Sequence, residues 1–313
     1  MKNYKPIIIV PGDPNSVFYE IFFKAIKIKK LKSPLLIIGN YNDFLMQMKR
    51  FNFKKKINLV TSNNLNSISK TFINIINIDL KNKKKKHKYI EECFKIAFDL
   101  LKLGITHKLL NAPINKKKFL KRKYLGITEY ISKKFLVNQT GMLIFNKKLS
   151  VSPVTTHLPI SMVSKNISKK IILEKIKIIN EFYKKYLIKN PKIAVTGLNP
   201  HCESILKYDE DKKIITSAII LAKKKGYKVK GPYSGDTIFL KNNRNKFDVI
   251  LGMYHDQVLA PFKSLFEYNA INVTMGLPFL RVSPDHGPNE SMIWKNKSNP
   301  LSIIKCLDFL DKK

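Results

Sequence analysis

Val249-Ile250-Leu251-Gly252-Met253-Tyr254-His255-Asp256-Gln257 is a short apolar run that leaves its hydrophobic stretch on a histidine. Two distant segments have the same form, Ser150-Val151-Ser152-Pro153-Val154-Thr155-Thr156-His157 and Ile193-Ala194-Val195-Thr196-Gly197-Leu198-Asn199-Pro200-His201. Runs of this length, rich in β-branched residues and bounded by Gly, Pro or Asn, read as strands. Strand exits are where open α/β sheets bind their ligands. The chain has only six histidines, so half of them stand at such exits. Three imidazoles meeting there would hold a metal and leave one coordination position open, as catalytic metals require. Three unrelated loop or core histidines are the plain alternative.

Outward from these segments, further strands are expected at Ile7–Val10, Leu35–Ile38, Leu109–Leu110, Met142–Phe145 and Ile271–Thr274. Between them run patterns of helical period. Tyr89–Leu103 puts Ile90, Cys93, Phe94, Ala97, Leu100 and Leu101 on one face and stops at Gly104, which makes Cys93 a core residue. Asn166–Leu187 repeats isoleucine at three- and four-residue spacing. Such alternation predicts an α/β protein with a largely parallel, helix-covered sheet. The run from Lys81 to Lys88 reads as a solvated loop. Pro11-Gly12-Asp13-Pro14-Asn15-Ser16 reads as a turn into a helix, a place where backbone N–H groups can meet an anion.

The chain has 313 residues, 44% of them hydrophobic, enough for two domains or one large one. Its net charge of +37 would ordinarily point to nucleic acid. Yet only Arg50, Arg122, Arg244 and Arg281 are arginine, the residue suited to bidentate phosphate and base recognition. Lysines are spread over almost every segment, a chain-wide bias rather than a binding stripe, so no nucleic-acid partner is expected. Three cysteines without CxxC spacing give no disulfide framework and fit a reducing cytoplasm. No apolar run reaches the length of a membrane span, and Ile7–Val10 is too short for a signal-peptide core.

Candidate binding groups crowd between Tyr254 and Gly287. Lys263, Asn272 and Arg281 supply a cation, an amide and a guanidinium suited to an anionic ligand. The choice of arginine at 281 in a lysine-rich chain points to a carboxylate or phosphate, or else to a structural salt bridge. Asp236, on the loop Gly231-Pro232-Tyr233-Ser234-Gly235, is placed to orient a ligand, act as a base or cap a turn. Asn111-Ala112-Pro113-Ile114-Asn115-Lys116 sets a lysine near a sheet edge.

Together these segments resemble, in order and over essentially the whole chain, the landmarks of the 4-hydroxythreonine-4-phosphate dehydrogenase family. They are Pro11-Gly12-Asp13-Pro14, Ala112-Pro113-Ile114-Asn115-Lys116, Gly126-Ile127-Thr128-Glu129, Thr155-Thr156-His157-Leu158-Pro159, Gly197-Leu198-Asn199-Pro200-His201, Gly235-Asp236-Thr237, Tyr254-His255-Asp256-Gln257, Gly276-Leu277-Pro278-Phe279-Leu280-Arg281 and Asp285-His286-Gly287. The resemblance implies an isocitrate/isopropylmalate dehydrogenase-like fold of two α/β/α domains flanking a central cleft. Residues 1–130 with 280–313 would form the first and residues 131–279 the second. It further implies a divalent metal (zinc, magnesium or cobalt) on His157, His201 and His255 at a homodimer interface, with ligands from both subunits. Thr128, Lys263, Asn272 and Arg281 would contact a phosphorylated amino acid, Asp236 and Lys263 would move protons, and Asp285, His286 and Gly287 would approach NAD or NADP.

The chain departs from the family pattern at several positions. Ile127 replaces a histidine that helps bind substrate, Cys202-Glu203-Ser204 replaces a small residue, glycine and acid, and Ser291 and Trp294 replace an acid and a glycine of a cofactor loop. Ile127 keeps another hydroxy acid open as substrate. The altered 288–295 loop keeps a three-histidine metal hydrolase open as a second class of reaction.

Overall fold

Ile7-Ile8-Ile9-Val10 is wholly buried, as a strand must be when helices cover both faces of its sheet. A computed structural model describes residues 4–80, 86–115, 119–120, 124, 126–203 and 209–312. The chain divides into two compact units, Met1–Ile127 with Pro278–Lys313, and Thr128–Leu277.

In the first unit, β1 (Ile7–Val10), β2 (Leu35–Gly39), β3 (Ile57–Val60), β4 (Ile73–Asn77), β5 (Lys108–Asn111) and β12 (Leu280–Pro284) lie in the order β3-β4-β2-β1-β5-β12. Every neighbouring pair among them is parallel. Helix α1 (Phe18–Ile28) contributes an aromatic block to the core: Phe23 stacks on Phe53 at 4.5 Å and meets Phe44 edge-on at 5.4 Å. Helix α2 (Tyr41–Arg50) is capped by Asn40, whose side chain accepts from the Asp43 amide at 2.8 Å. Helix α3 (Lys86–Lys102) begins three residues before the expected Tyr89. Lys86, His87 and Lys88 are therefore its first turn rather than loop, while residues 81–85 lie outside the described residues.

Strands β3 and β4 go beyond the sequence expectation, and Asn74 explains why. This fully buried residue interrupts an isoleucine run, yet its amide nitrogen donates to the Leu35 and Ser69 carbonyls and its oxygen accepts from Asn58 and the Ser69 amide. A polar side chain so completely paired sits in a core at little cost. The Pro11–Ser16 turn corrects the anion expectation. The amides of Asp13, Asn15, Val17 and Phe18 are bonded to Pro113 O, Asp13 Oδ1, Pro288 O and Ser16 Oγ. Gly12 has φ +76, and a Cβ there would lie 2.4 Å from the Pro113 carbonyl, so only glycine fits.

The second unit contains α4 (Ile127–Lys134), β6 (Gly141–Phe145), β7 (Ser150–Pro153), α5 (Lys169–Phe182), β8 (Ile193–Thr196), α6 (Ser217–Lys224), β9 (Val229–Tyr233), β10 (Val249–Gly252), α7 (His255–Phe266) and β11 (Ile271–Met275). Its sheet order is β11-β6-β7-β10-β8-β9. Both pairings of β6 are antiparallel, and the remaining ones are parallel. The β6–β7 hairpin turns on Asn146, whose side-chain oxygen accepts from the Lys148 amide at 2.8 Å. Val151, Ala194 and Ile250 from neighbouring strands pack with Val258, Leu259 and Phe262 of α7 in one buried cluster. No helix among the described residues is long and apolar enough to cross a membrane.

Candidate active site at three strand exits

β10 lies between β7 and β8, all three parallel, so the three histidine segments leave the sheet along one edge. Two fastenings join those exits. The first ties the β7 exit to the β10 exit: the Val154 amide donates to Gly252 O at 2.7 Å and the Thr155 hydroxyl to Met253 O at 2.7 Å. The second is Gln257, in the first turn of α7. Its Oε1 accepts from the Met253 amide at 2.7 Å and the Thr196 hydroxyl at 2.8 Å, and its Nε2 donates to Gly197 O at 2.7 Å. One amide side chain thus ties the His255 segment to the His201 segment. Asp211, fully buried, completes the second: it accepts from the Leu198 and Asn199 amides and from the Asn199 side chain at 2.7, 3.0 and 2.9 Å.

His157 and His255 come together, their ring centroids 6.0 Å apart. Two imidazoles on one tetrahedral zinc at about 2.0–2.1 Å would put their centroids roughly 5 Å apart, so this pair stands somewhat wider than a shared ion would hold it. His255 Nδ1 is 2.7 Å from Asp256 Oδ1, an arrangement that orients the ring and leaves Nε2 for a ligand. His201 stands on left-handed backbone, as does Cys202, with φ of 57° and 63°. Among the described residues, no group of three His, Cys, Asp or Glu side chains could hold a metal. Of the three expected ligands, His157 and His255 are the two whose rings lie in contact within one chain.

Asp236 is exposed and lies in the field of His201. The Ser234 hydroxyl, donating at 2.6 Å, holds its carboxyl below the usual range, and His201 acts in the same direction. Asp236 is consequently ionised at neutral pH. Burial pushes the Cys202 thiol up, which disfavours its thiolate.

The other candidates divide between the units. Thr128, in the first turn of α4, has its hydroxyl 3.3 Å from that of Thr274 on β11. Asn272, also on β11, keeps its buried amide oxygen without a hydrogen-bond partner among the described residues, an acceptor suited to a ligand's hydroxyl or ammonium. Lys263 is exposed near the end of α7, eight residues after His255 and so about 12 Å along the helix. In the first unit, Arg281 is only 3% exposed on β12, and its Nε donates to Asn111 Oδ1 at 2.6 Å. His286 Nδ1 lies 2.9 Å from Gly287 O, the Asp285 amide donates to the Ser302 hydroxyl at 3.0 Å, and Gly287 has open space around its Cα. Ile127 is buried, Trp294 is exposed, and Lys116 lies outside the described residues. Gln257, Asp211, Thr155 and Asn111 are the residues for which sequence reasoning assigned no role.

Known structures place this architecture. Isocitrate dehydrogenase from Methylococcus capsulatus shares the fold at 8% identity and a TM-score of 0.50, covering 96% of this chain and 83% of that one. A crystal structure of 4-hydroxythreonine-4-phosphate dehydrogenase from Klebsiella pneumoniae is much nearer, with a TM-score of 0.84, 26% identity and 99% of each chain covered. The class so defined is an α/β protein of the isocitrate dehydrogenase-like fold. Among curated proteins, the 4-hydroxythreonine-4-phosphate dehydrogenase of Sulfurihydrogenibium sp. is 33% identical over 96% of each chain. The D-threonate 4-phosphate dehydrogenase of Salmonella typhimurium is 31% identical over the same shares. The family described as pyridoxal phosphate biosynthetic protein PdxA matches residues 30–310, and the chain belongs to it.

Proposed function

We propose that this chain oxidises and decarboxylates 4-phosphooxy-L-threonine to 3-amino-2-oxopropyl phosphate, a step toward pyridoxal 5′-phosphate, using NAD(P) and a divalent metal in a homodimer. The observation that carries the reading is the PdxA match across residues 30–310, within which every candidate site residue falls. An oxidoreductase is favoured over a three-histidine hydrolase for the same reason.

His157 and His255 would hold the metal, with His201 as the third imidazole in an assembly that draws ligands from both subunits. When bound, the metal would supply Lewis acidity at the substrate alcohol, and NAD(P), beside Asp285, His286 and Gly287, would supply a hydride acceptor. Thr128, Lys263 and Arg281 hold the anionic phosphate and carboxylate, and the Asn272 amide oxygen accepts from a donor group of the substrate. Asp236, ionised, takes up the alcohol proton. The β-keto acid loses carbon dioxide, and Lys263 returns a proton at the carbon left behind.

A second substrate has a specific motive. A relative named for D-threonate 4-phosphate is about as similar as those named for 4-hydroxythreonine 4-phosphate, and Ile127 removes a hydrogen-bonding group. Purified protein supplied with metal and either NAD or NADP decides between them. The first substrate should give reduced nicotinamide and carbon dioxide in equal amounts, with the higher kcat/KM. Turnover of D-threonate 4-phosphate alone would transfer the assignment to the second, and no reduction with either would end both.

A further inference from the structure

Trp294 is the only tryptophan in the chain, and it stands at φ +71, in the left-handed region that a bulky L-residue rarely adopts. Asn289 and Asn296, on either side, share that region with φ of 52° each. Such a backbone persists only where its surroundings fix it. Here Asn115 Nδ2 donates to Glu290 at 3.2 Å near the start of the segment. At its end, Lys24 Nζ donates to the Asn296 and Ser298 carbonyls at 2.9 and 3.1 Å, and the buried Glu20 accepts from Lys24 and the Ser298 amide at 2.8 and 2.6 Å. The fixed segment holds the indole outward, 47% exposed, with the Arg50 guanidinium 3.5 Å above the ring centroid.

That pairing has a chemical consequence. A guanidinium this close over an indole covers the ring with its carbon, and its N–H donors, which lie in its own plane, remain at its edge. No salt bridge to a carboxylate occupies Arg50 among the described residues. A flat π-surface beside a sideways-directed cation matches a ligand with an aromatic base next to a phosphate ester. The segment also follows the carboxyl end of β12, the side on which open α/β sheets take ligands.

We propose that Trp294 and Arg50 form a nucleotide subsite in which the indole stacks an adenine ring and the guanidinium edge takes an adjacent phosphate, as on the 2′-phosphate of NADP. The proposal rests on the reading that the chain uses a nicotinamide dinucleotide, and it adds a preference for the phosphorylated one.

The single tryptophan makes the test direct. Fluorescence of the full-length protein, titrated at about 0.15 M salt to screen its general charge, should be quenched saturably by 2′,5′-ADP and NADP. Both should bind about tenfold more tightly than 5′-AMP and NAD. Arg50→Gln should abolish that preference at unchanged circular dichroism and Tm. Trp294→Phe, followed by calorimetry, should retain most of the affinity, and Trp294→Gly should lose it. NADP binding seen by calorimetry with unaltered fluorescence, or with the same Kd in Arg50→Gln, would overturn the subsite and leave dinucleotide use standing. No heat with either dinucleotide removes both. Equal quenching by inorganic phosphate or an RNA oligonucleotide shows general anion capture and overturns the subsite.

Discussion

Gln257 carries no charge, yet three of its hydrogen bonds join the β8 exit to the β10 exit. Removing it leaves the Met253 amide and the Gly197 carbonyl without this partner and unties the His201 segment from the His255 segment. Gln257→Ala should therefore lower stability by about 2–3 kcal/mol and turnover by roughly a hundredfold, because small misplacements of reacting groups cost that much. Urea unfolding and steady-state kinetics measure the two losses separately, and a variant that keeps normal turnover would deny Gln257 its positioning role. Gly197 belongs to the same lock. A Cβ there would lie 2.5 Å from Asp211 Oδ1 and 2.8 Å from Cys202 Sγ, so this loop accepts no larger residue. The histidines were legible in the sequence because imidazole at a strand exit is chemically conspicuous. Gln257 and Asp211 were not, since their work is done on backbone groups that only the sheet order brings near.

At the scale of elements, the clearest sequence signals were uninterrupted β-branched runs: β1 and β8 fall on Ile7–Val10 and Ile193–Thr196 as expected. The strands that escaped notice each contain residues that a strand pattern normally excludes. β4 holds Asn74, β9 holds Gly231 and Pro232, and β12 holds Arg281 and Pro284. β5, expected at Leu109–Leu110, begins one residue earlier on Lys108, 1% exposed, whose Nζ donates to Ser33 Oγ at 3.1 Å. Burial pulls its pKa below the ordinary lysine value, and the charge of Asp311 pulls the other way. Asp311 is itself held by the Lys32 and Ser33 amides, so the cluster pins the C-terminal helix Leu301–Asp311 to the β1–β2 side of the sheet. With the folded pKa lowered, the unfolded chain binds more protons in the window between the two values. Stability of the native protein therefore rises with pH through that window, up to about 10.4, the ordinary lysine pKa. Lys108→Met should be more stable than the parent by about 1 kcal/mol at pH 7, and the difference should shrink toward pH 10. Urea unfolding at several pH values tests this; an advantage that grows with pH would reverse the assigned cause.

The whole molecule carries 59 basic side chains against 22 acidic ones, so even complete pairing would leave 37 cations facing one another. Two consequences oppose each other when salt is added. Self-repulsion destabilises the compact state, and screening relieves it, since the Debye length falls from about 30 Å at 0.01 M to about 8 Å at 0.15 M. The same field draws an anionic substrate toward the site, and screening weakens that attraction. Raising salt over this range should therefore increase Tm by several degrees while KM for a phosphorylated substrate rises several-fold and kcat stays nearly constant. The split distinguishes a diffuse field from discrete contacts: losing a transition-state contact would lower kcat as well. Thermal scans and initial rates over one salt series read both quantities on the same protein. A fall of Tm with salt would mean that specific ion pairs, rather than bulk repulsion, dominate its electrostatic stability. A KM indifferent to salt would mean that the substrate is held by contacts already closed to solvent, with the lysine excess serving the reaction in no way.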